Sequence, residues 1–530
     1  MCGIVGVLGS KPVARDIVSA LKRLEYRGYD SAGVATLEGG RLTRLRAEGK
    51  LDSSPLAGTI GIGHTRWATH GKPSEANAHP HASPRVAVVH NGIIENFKAL
   101  REELIAKGHR FATETDSEAA AFLVEDELAK GKKPPEAVAA ALKRMRGAFA
   151  LVYLFAGEDD LLIGARQGAP LAVGYGDGAM FLGSDALALA PFTDRVAYLE
   201  EGDWVVATRA GATFHDASDR VVKRKTIHSA AGGLLAEKGN YRHFMAKEIH
   251  EQPEVVGHTL AHYVDMAAQR LKPFAWPVDP ATISRVSIIA CGTAYMAGLV
   301  GKYWIERFAR LPVEIDVASE YRYREPPVEH NGLAIVISQS GETADTLASL
   351  RYAKANGAKT IGVVNVPSSS IARLSDAAAP TLAGPEIGVA STKAFTCQLA
   401  AVACLAIGLA RARGAMTEAE EAALVGELVA APGLIAQALK LEPLLEPIAH
   451  KLARARDVLY LGRGTAYPLA LEGALKLKEL SYIHAEGYAA GELKHGPIAL
   501  IDEDMPVIVL APKDAVLEKT ISNMQEVAAR

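Results

Sequence analysis

The sequence predicts an α+β domain with largely antiparallel sheets, followed by two tandem α/β domains built on parallel sheets. Three observations lead there. Over the first ~225 residues, short β-rich runs mix with a few amphipathic helices. From about Val286 the pattern changes to apolar strand, Gly/Ser/Thr loop and long helix, repeated. The tetrapeptide Gly292-Thr293-Ala294-Tyr295, which follows one apolar run, recurs as Gly464-Thr465-Ala466-Tyr467 after another, the mark of an internal duplication.

Each element follows from local pattern. Strand-like runs lie at 4–8, 60–66, 86–90, 149–155 and 204–207. Helical spacing appears at Val13, Ile17, Leu21 and Leu24, at Phe97, Leu100, Leu104 and Ile105, and in the Ala-rich stretch after Ser117. Residues 226–253 read as a linker, with Ala230-Ala231-Gly232-Gly233 near its start, running into a helix that Pro253 interrupts. The expected domains are therefore 2–225, 254–430 and 440–530. The first copy of the duplication has strands at 286–290, 333–337 and 361–366 and a helix at 394–410; the second has strands at 458–461 and 507–510. In that register roughly 75 to 80 residues of the first copy have no counterpart in the second, which predicts a fragment of a longer chain. A half-built parallel sheet with an open edge is otherwise a poor stable object.

Composition narrows the function. Across 530 residues, 58 Lys and Arg stand against 61 Asp and Glu, so no general field attracts nucleic acid or a membrane surface. Any anion must be caught locally. Four scattered cysteines, Cys2, Cys291, Cys397 and Cys404, exclude a disulfide framework and a CxxC metal site, and point to a reducing cytoplasm. The start lacks a signal peptide, and the apolar stretch 394–410, Ala-rich and interrupted by Thr396 and Gln398, reads as a buried helix.

Cys2 is the first chemical candidate. Removal of Met1 would leave a thiol and a free α-amine on one residue, and an amine with a pKa near 8 can act as base for its own nucleophile. The alternative is a small buried residue opening a strand. The run His64-Thr65-Arg66-Trp67-Ala68-Thr69-His70-Gly71 ends a strand in polar and aromatic groups, where Arg66 can clamp a carboxylate. Asn91-Gly92 could aim an amide and an N–H at an oxyanion, or could form a hairpin turn. Asp116 could bind an ammonium or cap a helix.

In the second half, Ser338-Gln339-Ser340-Gly341-Glu342-Thr343 joins a strand to a helix, so hydroxyls, N–H groups and the helix N-terminus converge as a phosphate would require. A well-capped turn is the alternative. Thr293 and Ser391-Thr392-Lys393 could add contacts at the same sheet edge. Gly462-Arg463-Gly464 is a weak dinucleotide signal, since Tyr467 replaces the third Gly. Lys476 and Glu479 share a helix face, usually a surface pair, and His495 lies in a loop.

Several stretches together carry a family likeness. Cys2-Gly3-Ile4-Val5-Gly6, Arg27-Gly28-Tyr29-Asp30-Ser31-Ala32-Gly33, the run from His64 to Gly71, His79-Pro80-His81, Asn91-Gly92 with Glu95-Asn96, and Glu114-Thr115-Asp116 resemble the glutaminase domain of the glucosamine-6-phosphate synthase family, glutamine:fructose-6-phosphate aminotransferases of the isomerising type. The second half resembles the sugar-phosphate isomerase (SIS) half of that family. The likeness implies an α+β N-terminal-nucleophile (αββα) glutaminase domain followed by two doubly wound α/β SIS domains, the second incomplete. By the same likeness, Cys2 attacks the glutamine amide, and Asn91 with Gly92 holds the oxyanion. Arg66, Trp67, Thr69, His70 and Asp116 belong to the glutamine pocket, with Trp67 on the ammonia path.

Thr293, Ser338, Gln339, Ser340, Thr343, Val389 and Ser391 would hold the sugar phosphate. Glu479 would move a proton between C1 and C2, Lys476 would lie beside it, and His495 would assist ring opening. Glutamine and fructose 6-phosphate would be the substrates, ammonia would pass internally, a homodimer is implied, and no metal or organic cofactor is expected. Two departures stand out. Ala294 occupies a position where the family has Ser, and the family's Schiff-base lysine would fall beyond Arg530. A phosphoribosyltransferase or an asparagine synthetase would carry other nucleotide loops. Two alternatives remain: a sugar-phosphate-sensing SIS protein without catalysis, or a fragment with glutaminase activity only.

Overall fold

The computed structural model describes residues 2–24, 30–51, 53–66, 72–184, 186–228 and 240–530, which fall into two compact units, Met1–Glu237 and Lys238–Arg530. In the first unit the period-2 alternation of strand residues builds the layers. Ile4 and Leu8 of the strand Gly3–Leu8 meet Val152 and Leu154 of the strand Gly147–Phe155 between two sheets. Val5 and Val7, on the opposite face, pack under Ile17 and Leu21 of the helix Ala14–Arg23. In the other sheet, Ala87 and Val89 point inward while Val86 and Val88 pack against Leu100 and Leu123 of the helices Phe97–Ala106 and Ser117–Ala129. The result is helix, sheet, sheet, helix. Gly3–Leu8 sits inside an eight-stranded sheet between Met180–Gly183 and Ile60–Arg66; Val86–Ile94 lies in a seven-stranded sheet beside Gly147–Phe155. All the described strand pairs of both sheets are antiparallel.

The second unit is α/β. Five parallel strands run in the spatial order Val313–Val317, Arg285–Ala290, Gly332–Ser338, Lys359–Val364, Ala377–Pro380. The second copy repeats the start of this order with His484–Ala489, Asp457–Gly462, Val507–Val509, again parallel. Its backbone repeats too: Gly292 and Gly464 have φ of +55° and +54° at the same point of the two copies, a left-handed value that glycine reaches without strain. Val313–Val317 and His484–Ala489 are strands that the apolar-run criterion passes over, because charged residues and Gly487 dilute them.

One helix differs from expectation, and another meets it. Pro253 does not interrupt its helix, which runs unbroken over Phe244–Tyr263. Proline cannot donate to the carbonyl of Ile249, but the Gln252 side-chain amide donates to it instead at 2.9 Å, so the gap in the ladder is filled. The apolar helix Lys393–Ala412 is buried along most of its length against Phe244–Tyr263 and Gly292–Phe308. The equally apolar helix Glu418–Leu439 is mostly exposed.

Candidate functional site

In the first unit the alternation that builds the core also aims two polar residues. His90 follows Val86 and Val88 on the helix side, where its Nδ1 lies 2.8 Å from Ser117 Oγ. Asn91 follows Ala87 and Val89 on the other side, where its Nδ2 donates to the Cys2 carbonyl at 3.0 Å. Asn91 Oδ1 lies 3.0 Å from His64 Nε2, which is also 2.9 Å from the His90 carbonyl. Gly92 has φ of +119°, and a Cβ there would stand 2.0 Å from the Ala148 carbonyl oxygen, so only glycine fits. Both residues lie inside the strand Val86–Ile94, paired with Ala150 and Phe149, which removes the hairpin-turn alternative.

Arg66 ends the strand Ile60–Arg66 and is 4% exposed. Burial draws its guanidinium below its ordinary value, opposed by the charges of Cys2, Asp116 and Asp30, which places these four residues in one electrostatic neighbourhood. Asp116 stands at the N-cap of Ser117–Ala129, yet its carboxylate makes no cap bond to that helix. It accepts instead from Ile94 N–H at 2.8 Å and from the Ser117 hydroxyl at 3.3 Å. The capping alternative therefore fails at the side chain. Trp67, Thr69 and His70 lie outside the described residues, as does the Arg27-Gly28-Tyr29 part of its motif.

Beneath Asn91 lies a stack that the sequence did not single out as a unit. The His64 and His79 rings are 4.1 Å apart, and those of His79 and His81 4.4 Å. Burial pushes His64 down to about 3 and holds His79 and His81 well below the usual histidine range. The stack is neutral at physiological pH. Among the described residues, no group of His, Cys, Asp and Glu side chains is arranged to hold a metal ion.

In the second unit, the strand Gly332–Ser338 delivers the loop from Ser338 to Thr343 to the N-terminus of the helix Ala344–Ala355. Ser338 Oγ accepts from Gly341 N–H at 3.0 Å and lies 2.9 Å from Thr343 Oγ1, while Glu342 N–H donates to Ser340 Oγ at 3.2 Å. Thr343 is the N-cap residue, but its side chain makes no cap bond to that helix. The loop is thus wound on its own hydroxyls around a helix N-terminus. Gly341 has φ of +65°, and a Cβ there would meet Ser369 Oγ at 2.0 Å. Gln339 is half-buried, and its carbonyl accepts from Asn365 N–H at 3.2 Å.

Other predicted sugar-site residues arrive from several elements. Thr293 opens the helix Gly292–Phe308 and bonds Glu472 and Lys476 of the helix Ala466–Ser481, both at 3.0 Å. Lys476 Nζ lies 2.6 Å from Glu479 Oε2. Val389 is 48% exposed. The Ser391 hydroxyl donates to Glu386 at 2.9 Å, and the same carboxylate receives the N–H groups of Thr392 and Ala394. His495 is exposed at the end of the turn Ala490–His495, and among the described residues no hydrogen bond or ion pair joins it to Glu479 or Lys476. Glu386 and Glu472 went unmarked in sequence. Glu472, four residues before Lys476, looks in one dimension like half of a solvated pair, and Glu386 sits in a loop where nothing in the sequence marks its burial.

The chain matches two family models: a glutamine amidotransferase domain over residues 64–191 and a SIS domain over residues 281–408 and 451–530. It is 66% identical over its whole length to a glutamine–fructose-6-phosphate aminotransferase [isomerizing] of Bradyrhizobium diazoefficiens, covering 88% of that protein. It is 60% identical, at the same coverage, to one of Zymomonas mobilis. Among solved structures, the C-terminal domain of a glucosamine-fructose-6-phosphate aminotransferase from Francisella tularensis aligns with a TM-score of 0.53 at 46% identity, over 56% of this chain and 83% of that one. At 66% identity over its whole length to such an enzyme, and with an amidotransferase domain followed by SIS domains, this chain belongs to the glutamine–fructose-6-phosphate aminotransferase (isomerizing) family.

Proposed function

We propose that the protein converts L-glutamine and D-fructose 6-phosphate to L-glutamate and D-glucosamine 6-phosphate. The observation that carries the reading is the Asn91 carboxamide, fixed beside Cys2 by His64 in the interior of a strand. With Met1 removed, the Cys2 amine takes the thiol proton and the sulfur attacks the glutamine amide carbon. The Asn91 Nδ2–H and the Gly92 N–H receive the oxyanion, the protonated Cys2 amine gives its proton to the departing nitrogen so that ammonia leaves as the thioester forms, and water then attacks the thioester, releasing glutamate and restoring the thiol. Arg66 holds the α-carboxylate and Asp116 the α-amine, with Trp67, Thr69 and His70 completing the pocket.

Ammonia passes internally to the sugar. Ser338, Gln339, Ser340 and Thr343 hold the phosphate, with Thr293, Val389 and Ser391 at the same edge; Glu479 transfers the proton between C1 and C2, Lys476 lies beside it, and His495 assists ring opening. The hydroxyl-wound cradle at a helix N-terminus supports the phosphate assignment. The protein acts in the cytoplasm as a homodimer, a reading supported by the exposed apolar side chains Leu434, Leu441, Leu444, Leu445 and Ile448.

The test incubates the chain with glutamine, with and without fructose 6-phosphate, and measures glutamate and glucosamine 6-phosphate separately. Both products are expected. Glutamate alone would confine the activity to Cys2, and neither product from a folded chain lacking Met1 would overturn the reading.

A further inference from the structure

Glu472 stands one helical turn before Lys476 on Ala466–Ser481 and is 6% exposed. Its Oε1 accepts from the Thr293 hydroxyl at 3.0 Å and lies 3.4 Å from Lys476 Nζ. Its Oε2 is buried and, among the described residues, has no hydrogen-bond partner. Lys476 Nζ donates in turn to Thr293 Oγ1 at 3.0 Å and reaches Glu479 Oε2 at 2.6 Å. One ammonium is thus shared by two carboxylates, with a hydroxyl from the first copy closing the cluster.

This is a poor way to build a structural cross-link. A buried carboxylate oxygen without a partner forfeits its hydration, and a glutamine could accept from Thr293 without carrying charge. Burial also pushes Glu472 up to about 7, against the pull of Lys476 and Thr293, so the site keeps an acid where the fold resists its charge. Such groups concentrate where chemistry needs them.

We propose that Glu472 is a positioning residue for the proton transfer at Glu479, acting through Lys476. The inference rests on the sugar-site reading given above. Glu472 and Thr293 hold the Lys476 ammonium from one side while it reaches Glu479 at 2.6 Å on the other, so the place of the Glu479 carboxylate is set through Lys476. A general base has to be held within reach of the proton it abstracts, and this clamp fixes the Glu479 carboxylate on its helix face. Glu472 itself is turned away from solvent and need not touch the sugar.

The measurement is the exchange of the C1 hydrogen of fructose 6-phosphate with deuterated water, followed by NMR on the full chain and on Glu472→Gln, Lys476→Met and the double variant. Glutamine preserves the acceptor for Thr293, so a merely structural cross-link would be rescued by it. The expected result is a roughly 10- to 100-fold fall in kcat for Glu472→Gln with KM changed less than about twofold, at a melting temperature no lower than that of the unchanged chain. The double variant should be no slower than Lys476→Met alone. Exchange by Glu472→Gln at the wild-type rate, or an additive loss in the double variant, would overturn the inference. A wild-type chain that binds the sugar but shows no exchange would instead sink the sugar-site reading, and this inference with it.

Discussion

His64 decides which end of the Asn91 carboxamide faces Cys2. Its Nε2 lies within hydrogen-bond distance of the His90 carbonyl and of Asn91 Oδ1, at 2.9 and 3.0 Å. A carbonyl can only accept, so Nε2 carries the proton, and the oxygen of Asn91 is the atom turned toward it. The amide nitrogen is left pointing at Cys2. Burial depresses the basicity of His64 against the upward pull of its bonds to Asn91 and the His90 carbonyl, so the ring stays neutral and in one tautomer.

Replacing His64 with Leu should therefore lower glutamine turnover without moving its KM much, since Asn91 can then rotate. Loss of an oxyanion donor costs roughly 10²- to 10³-fold in kcat, and a donor left in place but unfixed should lose about 10-fold or more. Glutamate release by the full chain measures it. A His64→Leu variant with wild-type kcat would show that Asn91 is oriented by other groups.

Gly341→Ala should damage the cradle. The added Cβ would meet Ser369 Oγ at 2.0 Å, and the backbone there has φ of +65°. A strained left-handed alanine costs of order 1–2 kcal/mol before the clash is counted. The expected outcome is weaker protection of the second unit by inorganic phosphate and a higher KM for fructose 6-phosphate, with glutamine hydrolysis retained. An unchanged KM would separate the loop from phosphate capture.

The two units should answer acid in opposite directions. Glu248 and Glu472 are both pushed up to about 7, chiefly by burial. A carboxyl raised on folding favours the protonated fold, so its contribution is full below the unfolded value of about 4.3 and is lost as pH rises through about 7. His64, at about 3, is the reverse: its contribution is full above the unfolded value of about 6.5 and is lost as pH falls toward 3. Going from pH 7 to pH 5 should destabilise the first unit by about 2 kcal/mol from His64 alone, and stabilise the second by about 2 kcal/mol per glutamate. Calorimetry of the full chain at the two pH values, with Gly341→Ala marking the second transition, reads both. Parallel shifts would contradict the assignment.

Gln252→Leu should cost about 1 kcal/mol, because the Ile249 carbonyl opposite Pro253 would lose its donor. The double change of Gln252→Leu with Pro253→Ala restores a backbone N–H at that position and should recover most of the loss. A thermal melt of the three variants decides it.

The sequence revealed those elements whose burial is periodic. Alternation of Val86, Ala87, Val88 and Val89 marks the strand, and the repeated Gly-Thr-Ala-Tyr marks the duplication, because both are written in neighbouring residues. The strand His484–Ala489 escaped, since a strand at the edge of its sheet needs no continuous apolar run. Asn91-Gly92 looked equally like a turn, because only the pairing with Ala150 and Phe149 on another strand shows the chain to be extended there. Glu472 could not be told from a surface acid in one dimension, as its meaning comes from Thr293, far along the chain.

That distance has a temporal side. The Thr293–Glu472 bond spans 179 residues of sequence, whereas the Ser338–Thr343 contact spans 5. During synthesis the Ser338–Thr343 contact needs only the first copy, whereas the Thr293–Glu472–Lys476 cluster requires the second to have emerged and docked. On the reading proposed above, the loop that would hold the phosphate forms before the cluster that would serve the proton transfer, and the order of translation completes that cluster last.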